Sequence, residues 1–168
     1  MKILFITLAL TVVALTAVKA QSINVFIFDN AGNYSNVRNA PKGKVVDRIP
    51  VNQNAMLDVG EPSNGWWQIY DQSYYIPDGG LAHLSGAQHY WIHHSCIAVS
   101  TRNYGGETLF LRSRPSSKGA VVFSFSEEIT LRPVDIVEGW VKVKTIDGKH
   151  EGWIEEEWLC GNSVTNCN

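Results

Sequence analysis

Positive charge is scarce in this chain. Its 168 residues carry 14 Lys and Arg against 16 Asp and Glu, for a formal net charge of −2. No basic stripe stands out, and the acids cluster mainly at Glu155, Glu156 and Glu157, so the surplus that phosphate backbones demand is missing. Polybasic contact with a membrane surface is unsupported for the same reason. Beyond the first residues, no segment keeps a helical hydrophobic period for ten residues, which argues against helical architectures. The one long apolar run, Ile3 to Val18, is shorter than the roughly 20 residues that span a bilayer. No cysteine follows directly after it, which disfavours a lipoprotein anchor.

What that run does have is the layout of a secretory signal peptide: Met1 and Lys2, an apolar core, then Val18, Lys19 and Ala20 with small residues at the cleavage positions. The expectation is an exported protein, periplasmic or extracellular, with residues 1–20 removed. Loss of Lys2 and Lys19 and of no acid takes the formal charge to −4.

The remaining chain repeats itself. Val37, Arg38, Asn39, Ala40 and Pro41 return as Leu111, Arg112, Ser113, Arg114 and Pro115, an offset of 74 that also carries Gly65, Trp66, Trp67, Gln68 and Ile69 onto Gly139, Trp140, Val141, Lys142 and Val143. Tyr90, Trp91 and Ile92 match Gly152, Trp153 and Ile154 at an offset of 62, so the first copy holds 12 extra residues between Tyr70 and Tyr90. One spacing that explains many residues at once is strong evidence of internal duplication. The elements inside each copy are short, rich in β-branched and aromatic residues, and punctuated by turn residues such as Pro62, Ser63, Asn64 and Gly65. Trp140 to Thr145 alternates, and Asp147 with Gly148 offers a hairpin turn before Gly152.

Leu111-Arg112-Ser113-Arg114-Pro115, Gly139-Trp140-Val141-Lys142-Val143, Asp147-Gly148-Lys149 and Gly152-Trp153-Ile154 together resemble the bacterial SH3-like (SH3b) domain from end to end. The first copy is similar, entered through residues 30–41. The resemblance implies an all-β fold of two tandem small SH3-like barrels: module 1 over residues 23–99 with an inserted loop near 71–89, module 2 over 107–160, a polar linker at 100–106 and a tail at 161–168. It also implies recognition in the cell envelope, because such modules are mostly targeting units beside wall hydrolases. Only residues 161–168 follow module 2, so the expectation is a binding protein that is not an enzyme. Its ligand would be a peptide, a peptidoglycan component or an envelope protein. The alternatives are an inhibitor or immunity-type protein that blocks a wall-cleaving enzyme, and a small metal-binding protein.

Strand alternation separates faces. Val141, Val143, Trp67 and Ile69 are expected in the core, and Trp66 and Trp140 on the opposite face with Gln68, Tyr70 and Lys142, keeping exposed ring surface. The candidate ligand-binding residues are therefore Trp66, Tyr70, Tyr74, Tyr75, Trp91, Trp140 and Trp158. The insertion contributes Tyr74 and Tyr75 to a cleft expected near the strand that carries Trp66 and Tyr70. His83, His89, His93, His94 and Cys96 crowd one segment, but their spacing fits no metal motif, and alternation sets His89 and His93 on one face and His94 and Cys96 on the other. No cofactor is expected. Cys96 lacks a neighbour in sequence to orient a histidine base, as a cysteine nucleophile needs. Cys160 and Cys167 flank a polar segment that a disulfide would pin, with pairings through Cys96 left open.

Overall fold

The computed structural model describes residues 21–167, and the signal peptide read at residues 1–20 lies outside the described residues. The fold is all-β. The first half runs β1 (Ser22–Ile27), β2 (Tyr34–Arg38), β3 (Val45–Pro50), β4 (Met56–Ser63), β5 (Trp66–Ile69), β6 (Ser73–Ile76), β7 (Gly80–His83), β8 (Tyr90–His93) and β9 (Ile97–Thr101). The second runs β10 (Leu109–Arg112), β11 (Val121–Phe125), β12 (Thr130–Val137), β13 (Trp140–Thr145), β14 (Glu151–Glu155) and β15 (Leu159–Cys160). Single 3-10 turns stand at Val51–Gln53, His94–Cys96 and Glu156–Trp158.

The two halves share local geometry at several positions. β2 pairs with β3 through a bulge at Val37/Arg38, and β10 pairs with β11 through a bulge at Leu111/Arg112. In each half the bulge arginine reaches across its loop, Arg38 donating to the Gly43 carbonyl at 2.7 Å and Arg112 to the Gly119 carbonyl at 3.1 Å. The β4–β5 and β12–β13 hairpins both close on two residues with positive φ, Asn64 (50°) with Gly65 (83°) and Glu138 (44°) with Gly139 (80°). Such a turn matches the right-handed twist of the strands it joins, and glycine takes its second position without strain.

β9 is where the two halves meet. Its Ile97 and Ala98 pair with Ile27 and Phe26 of β1, while its Val99 and Ser100 pair with Leu131 and Thr130 of β12. Ser100 and Thr101 pair in addition with β15. β9 stands to β12 and β15 as β1 stands to β4 and β9, in the same register at the same offsets. One strand therefore closes the first half and opens the second. This corrects the expected linker: Ser100 and Thr101 are paired strand residues, and only the stretch after them is loop. Thr101 is polar because its hydroxyl bonds the buried Asn103 at 2.8 Å and accepts from the Ile129 amide at 2.9 Å.

The core runs through both halves as one cluster, from Val25, Val37, Leu57 and Trp67 to Leu111, Val141, Val143 and Ile154. The Trp67 indole crosses the seam to donate to the Pro133 carbonyl at 3.2 Å. Arg132 crosses in the other direction, donating to the carbonyls of Phe28 and Ile97 at 3.0 Å each. A disulfide joins Cys160 to Cys167, as the tail position suggested, and Cys96 is free.

Candidate functional site

The seven aromatic candidates divide among separate surfaces. Trp66 lies on the face away from the core, as alternation requires, but it is only 9% exposed. The exposed ring surface expected of Trp66 is thus corrected, whereas Trp140 is only half-buried. His93 stands directly opposite it on β8, with the two rings 5.0 Å apart, and the Arg38 guanidinium sits 5.6 Å from the Trp66 ring centre. Those two side chains spend the tryptophan's outer surface on an internal T-shaped and cation–π stack. Trp91 lies between Gln68 and Arg38 in the same sheet and is half-buried. Trp140 and Trp158 belong to the second half, Trp140 paired with Val137 and Glu155, Trp158 in the 3-10 turn beside Arg102.

Tyr70, Tyr74 and Tyr75 do come together. The inserted segment is a short hairpin, β6 with β7, whose Tyr75 pairs with Met56 of β4. This hairpin raises a wall over the end of β5, and the resulting cleft of about 360 Å³ is lined by all three tyrosines with Met56, Leu81 and Asp58. Trp66 takes no part in it, contrary to expectation. Tyr75 and Leu81 are open to solvent at 47% and 60% exposure, whereas Tyr74 leans against the core. The Tyr70 hydroxyl is shielded from water without a hydrogen-bond partner. Burial first, and the Glu61 carboxylate second, raise the Tyr70 pKa, and burial with Asp47 raises that of Tyr74. Both phenols are neutral at any physiological pH. The rest of the insertion packs inward, with Leu84 in the core and Ala87 against it.

Met56 and Asp58 were missed in the sequence, whereas Leu81 belongs to the inserted loop expected to carry contacts but was not singled out within it. Leu81 sits in a glycine-rich turn stretch with no periodicity to mark it, and Met56 and Asp58 join the cleft only because β4 runs beside the hairpin.

The histidine-rich segment takes a different shape from simple alternation. β8 ends at His93, and the 3-10 turn at His94–Cys96 rotates the next residues, bringing the His93 and His94 rings to 4.5 Å from each other. Burial, then Arg132, lowers the His93 pKa, and burial, then His93, lowers that of His94. His89 lies apart, against Gln68 at 3.4 Å. Cys96 turns toward Asp29, and burial first and that carboxylate second push its thiol up to about 11. Among the described residues no group of three or more His, Cys, Asp or Glu side chains is placed to hold a metal ion. A wider groove of about 620 Å³ is lined by residues of β1, the Glu156–Trp158 turn and the tail, with Glu155, Glu156, Glu157 and Arg102 among them.

Residues 107–159 match the family model described as bacterial SH3 domain. That segment, β10 through the start of β15, carries the family's pattern. No curated protein matches the chain. Two solved structures align with 12% identity: NlpC1 from Trichomonas vaginalis, covering 86% of this chain and 47% of its own with a TM-score of 0.34, and NlpC2 from the same organism, covering 90% and 53% with a TM-score of 0.33. The chain spans about half the length of each.

Proposed function

We propose that the chain is an exported, non-catalytic recognition protein, built of two tandem SH3-like modules, that holds a peptide or peptidoglycan fragment of the cell envelope in the tyrosine cleft of its first half. The observation that carries this reading is the convergence of Tyr70, Tyr74, Tyr75, Met56 and Leu81 on one concave surface. Neutral phenols and apolar side chains recognise flat or aliphatic groups by stacking and contact, and a few polar groups at the rim fix orientation. Asp58 and Asp71 stand among the lining residues, which favours a ligand presenting an ammonium group or amide N–H donors. The equivalent place in the second half has no hairpin wall, so the second module supports and does not bind. A thiol held up at about 11 is protonated at neutral pH, which supports a role without a cysteine nucleophile.

The test is co-sedimentation of the protein with purified wall sacculi. Tyr75→Ala and Leu81→Ala remove exposed lining groups and should each weaken binding by about tenfold, together more, while the unfolding midpoint stays within the change expected of surface substitutions. Unchanged binding by the double variant defeats the cleft. Failure to bind sacculi, joined with capture and inhibition of a wall-cleaving enzyme, would replace this reading with that of an inhibitor.

A further inference from the structure

The tyrosine cleft is charged with one sign only. Asp58 reaches it from β4 and Asp71 from the turn between β5 and β6, both exposed, while no Lys, Arg or His stands among its lining residues. Neither carboxylate belongs to an ion pair among the described residues, where the pairs are Lys142 with Glu151 and Lys149 with Asp147. A third carboxylate, Glu61, is near enough to Tyr70 to act on its phenol. Asn24 occupies one oxygen of Asp58 with a 3.1 Å hydrogen bond, which leaves the second oxygen as the one a ligand can use. Tyr70 turns its hydroxyl inward against Gly60, shielded from water, so it offers the cleft its ring and not its oxygen.

We propose that the cleft recognises a primary alkylammonium group, the free side-chain amine of a diamino residue in a wall peptide, and rejects the same side chain once that amine has become an amide. This inference rests on the reading of the cleft as the wall-binding site and adds which group of the wall it reads. The lining supplies each part of the recognition. Met56 and Leu81 accept an aliphatic chain, and the tyrosine rings attract its cationic head. The ammonium has three diverging N–H donors, so it can take one oxygen from Asp58 and another from Asp71. A guanidinium is a planar fork that wants both oxygens of one carboxylate, and at Asp58 one of them is already taken. A neutral amide brings no charge to answer two carboxylates, and an anion would be repelled. The cleft, about 360 Å³, lies near the lower end of the roughly 300 to 1,000 Å³ usual for ligand sites, which suits one side chain with its own backbone. Acylation of the amine, the step that joins one peptide to another, removes its charge and two of its donors. A cleft that demands the ammonium therefore selects peptides that are not yet cross-linked.

Two probes that differ only at that nitrogen test the inference: Nα-acetyl-lysine amide and its Nε-acetylated form, titrated into the protein and followed by the backbone amide resonances of Tyr75 and Leu81. The amine should shift both resonances saturably, and the acetylated form should bind more weakly, on the order of tenfold. Added salt should narrow that gap, because both carboxylates are exposed. Asp58→Asn combined with Asp71→Asn should erase the difference between the probes, with the unfolding midpoint held within the range of surface substitutions. Equal binding of the two probes overturns the inference. So does binding of neither, and so does a preference for the amine that survives the paired Asn variant. Sacculi whose amines have been acetylated separate this inference from the reading beneath it. Binding that persists on acetylated sacculi and is lost in Y75A/L81A keeps the cleft and defeats the amine. An amine probe seated in the cleft of a protein that binds no sacculi keeps the alkylammonium specificity and defeats the wall reading.

Discussion

At the scale of single residues, two adjacent tryptophans show how far alternation carries. Trp67 faces the core and Trp66 faces away from it, as the pattern of Trp66-Trp67-Gln68-Ile69 requires, yet both are buried. The pattern reads which side a residue takes and is silent on what covers that side, since His93 and Arg38 reach Trp66 from strands distant in sequence. Trp67→Phe keeps most of the ring but leaves the Pro133 carbonyl without its donor. It should cost about 1 to 3 kcal/mol in denaturant unfolding, comparable to Val141→Ala or Val143→Ala at fully buried positions. The titrating residues give a second prediction. His93 and His94 are held below the ordinary histidine value by burial and neighbouring positive charge. The folded state therefore binds fewer protons than the unfolded one, so their contribution is complete above the ordinary value of 6.5 and is lost as pH falls through the lowered values. Cys96 works in the opposite direction: its contribution is complete below its ordinary value of 9.0 and is lost as pH rises toward about 11. Unfolding midpoints measured across pH should fall at both ends. Native alkylation of Cys96 should remain slow up to pH values well above those at which the unfolded chain reacts.

At the scale of elements, the strands and their turns were legible because short-range chemistry sets them. Asn64-Gly65 and Glu138-Gly139 sit where a two-residue hairpin turn needs positive φ, and the runs on either side alternate. The insertion was legible as extra residues, and its tyrosines as a cluster, because Tyr70, Tyr74 and Tyr75 lie close along the chain. The double duty of β9 was not. Its residues Ile97 to Thr101 read as the end of one copy, and the polar Ser100 and Thr101 read as the start of a linker. Only the partners of those residues, Thr130 and Leu159, reveal a strand that belongs to both halves. The consequence is testable by dissection. A fragment of residues 107–168 lacks the strand that β12 and β15 pair with, and should give the circular dichroism of an unfolded chain. A fragment of residues 95–168 retains that strand and should show β structure and a cooperative melt. Equal folding of both fragments would mean that β9 is dispensable to the second half. The tail is a smaller case of an element held from outside. Gly161 packs so closely on the Asn24 backbone that no side chain fits, the Cys167 amide donates to the Tyr104 hydroxyl at 3.0 Å, and the disulfide closes the loop between them. Reduction should cost at most about 2 to 3 kcal/mol in the chain-entropy model, because so short a loop excludes few unfolded conformations.

At the scale of the whole molecule, the question is whether the two halves behave as two bodies. Independent domains expose a flexible connection with few contacts across it, and each then unfolds on its own. Here the connection is itself a core strand, with Ile97, Ala98 and Val99 all buried. The backbone bonds of β9 are divided between β1 on one side and β12 and β15 on the other. Two side chains reinforce the seam from opposite directions, Trp67 to Pro133 and Arg132 to Phe28 and Ile97. Unfolding either half strips β9 of partners that the other half leaves in place, so neither half can open without exposing apolar surface and unpaired amides in its neighbour. The physical expectation is a single cooperative transition. Scanning calorimetry should give a calorimetric enthalpy equal to the van't Hoff enthalpy, and tryptophan fluorescence should report the same midpoint as far-UV circular dichroism. Arg132→Ala removes two of the seam bonds and should lower that midpoint without splitting the transition, since the shared strand remains. Two resolved transitions in the unaltered protein would mean that β9 yields to one half before the other, and that the seam is a hinge.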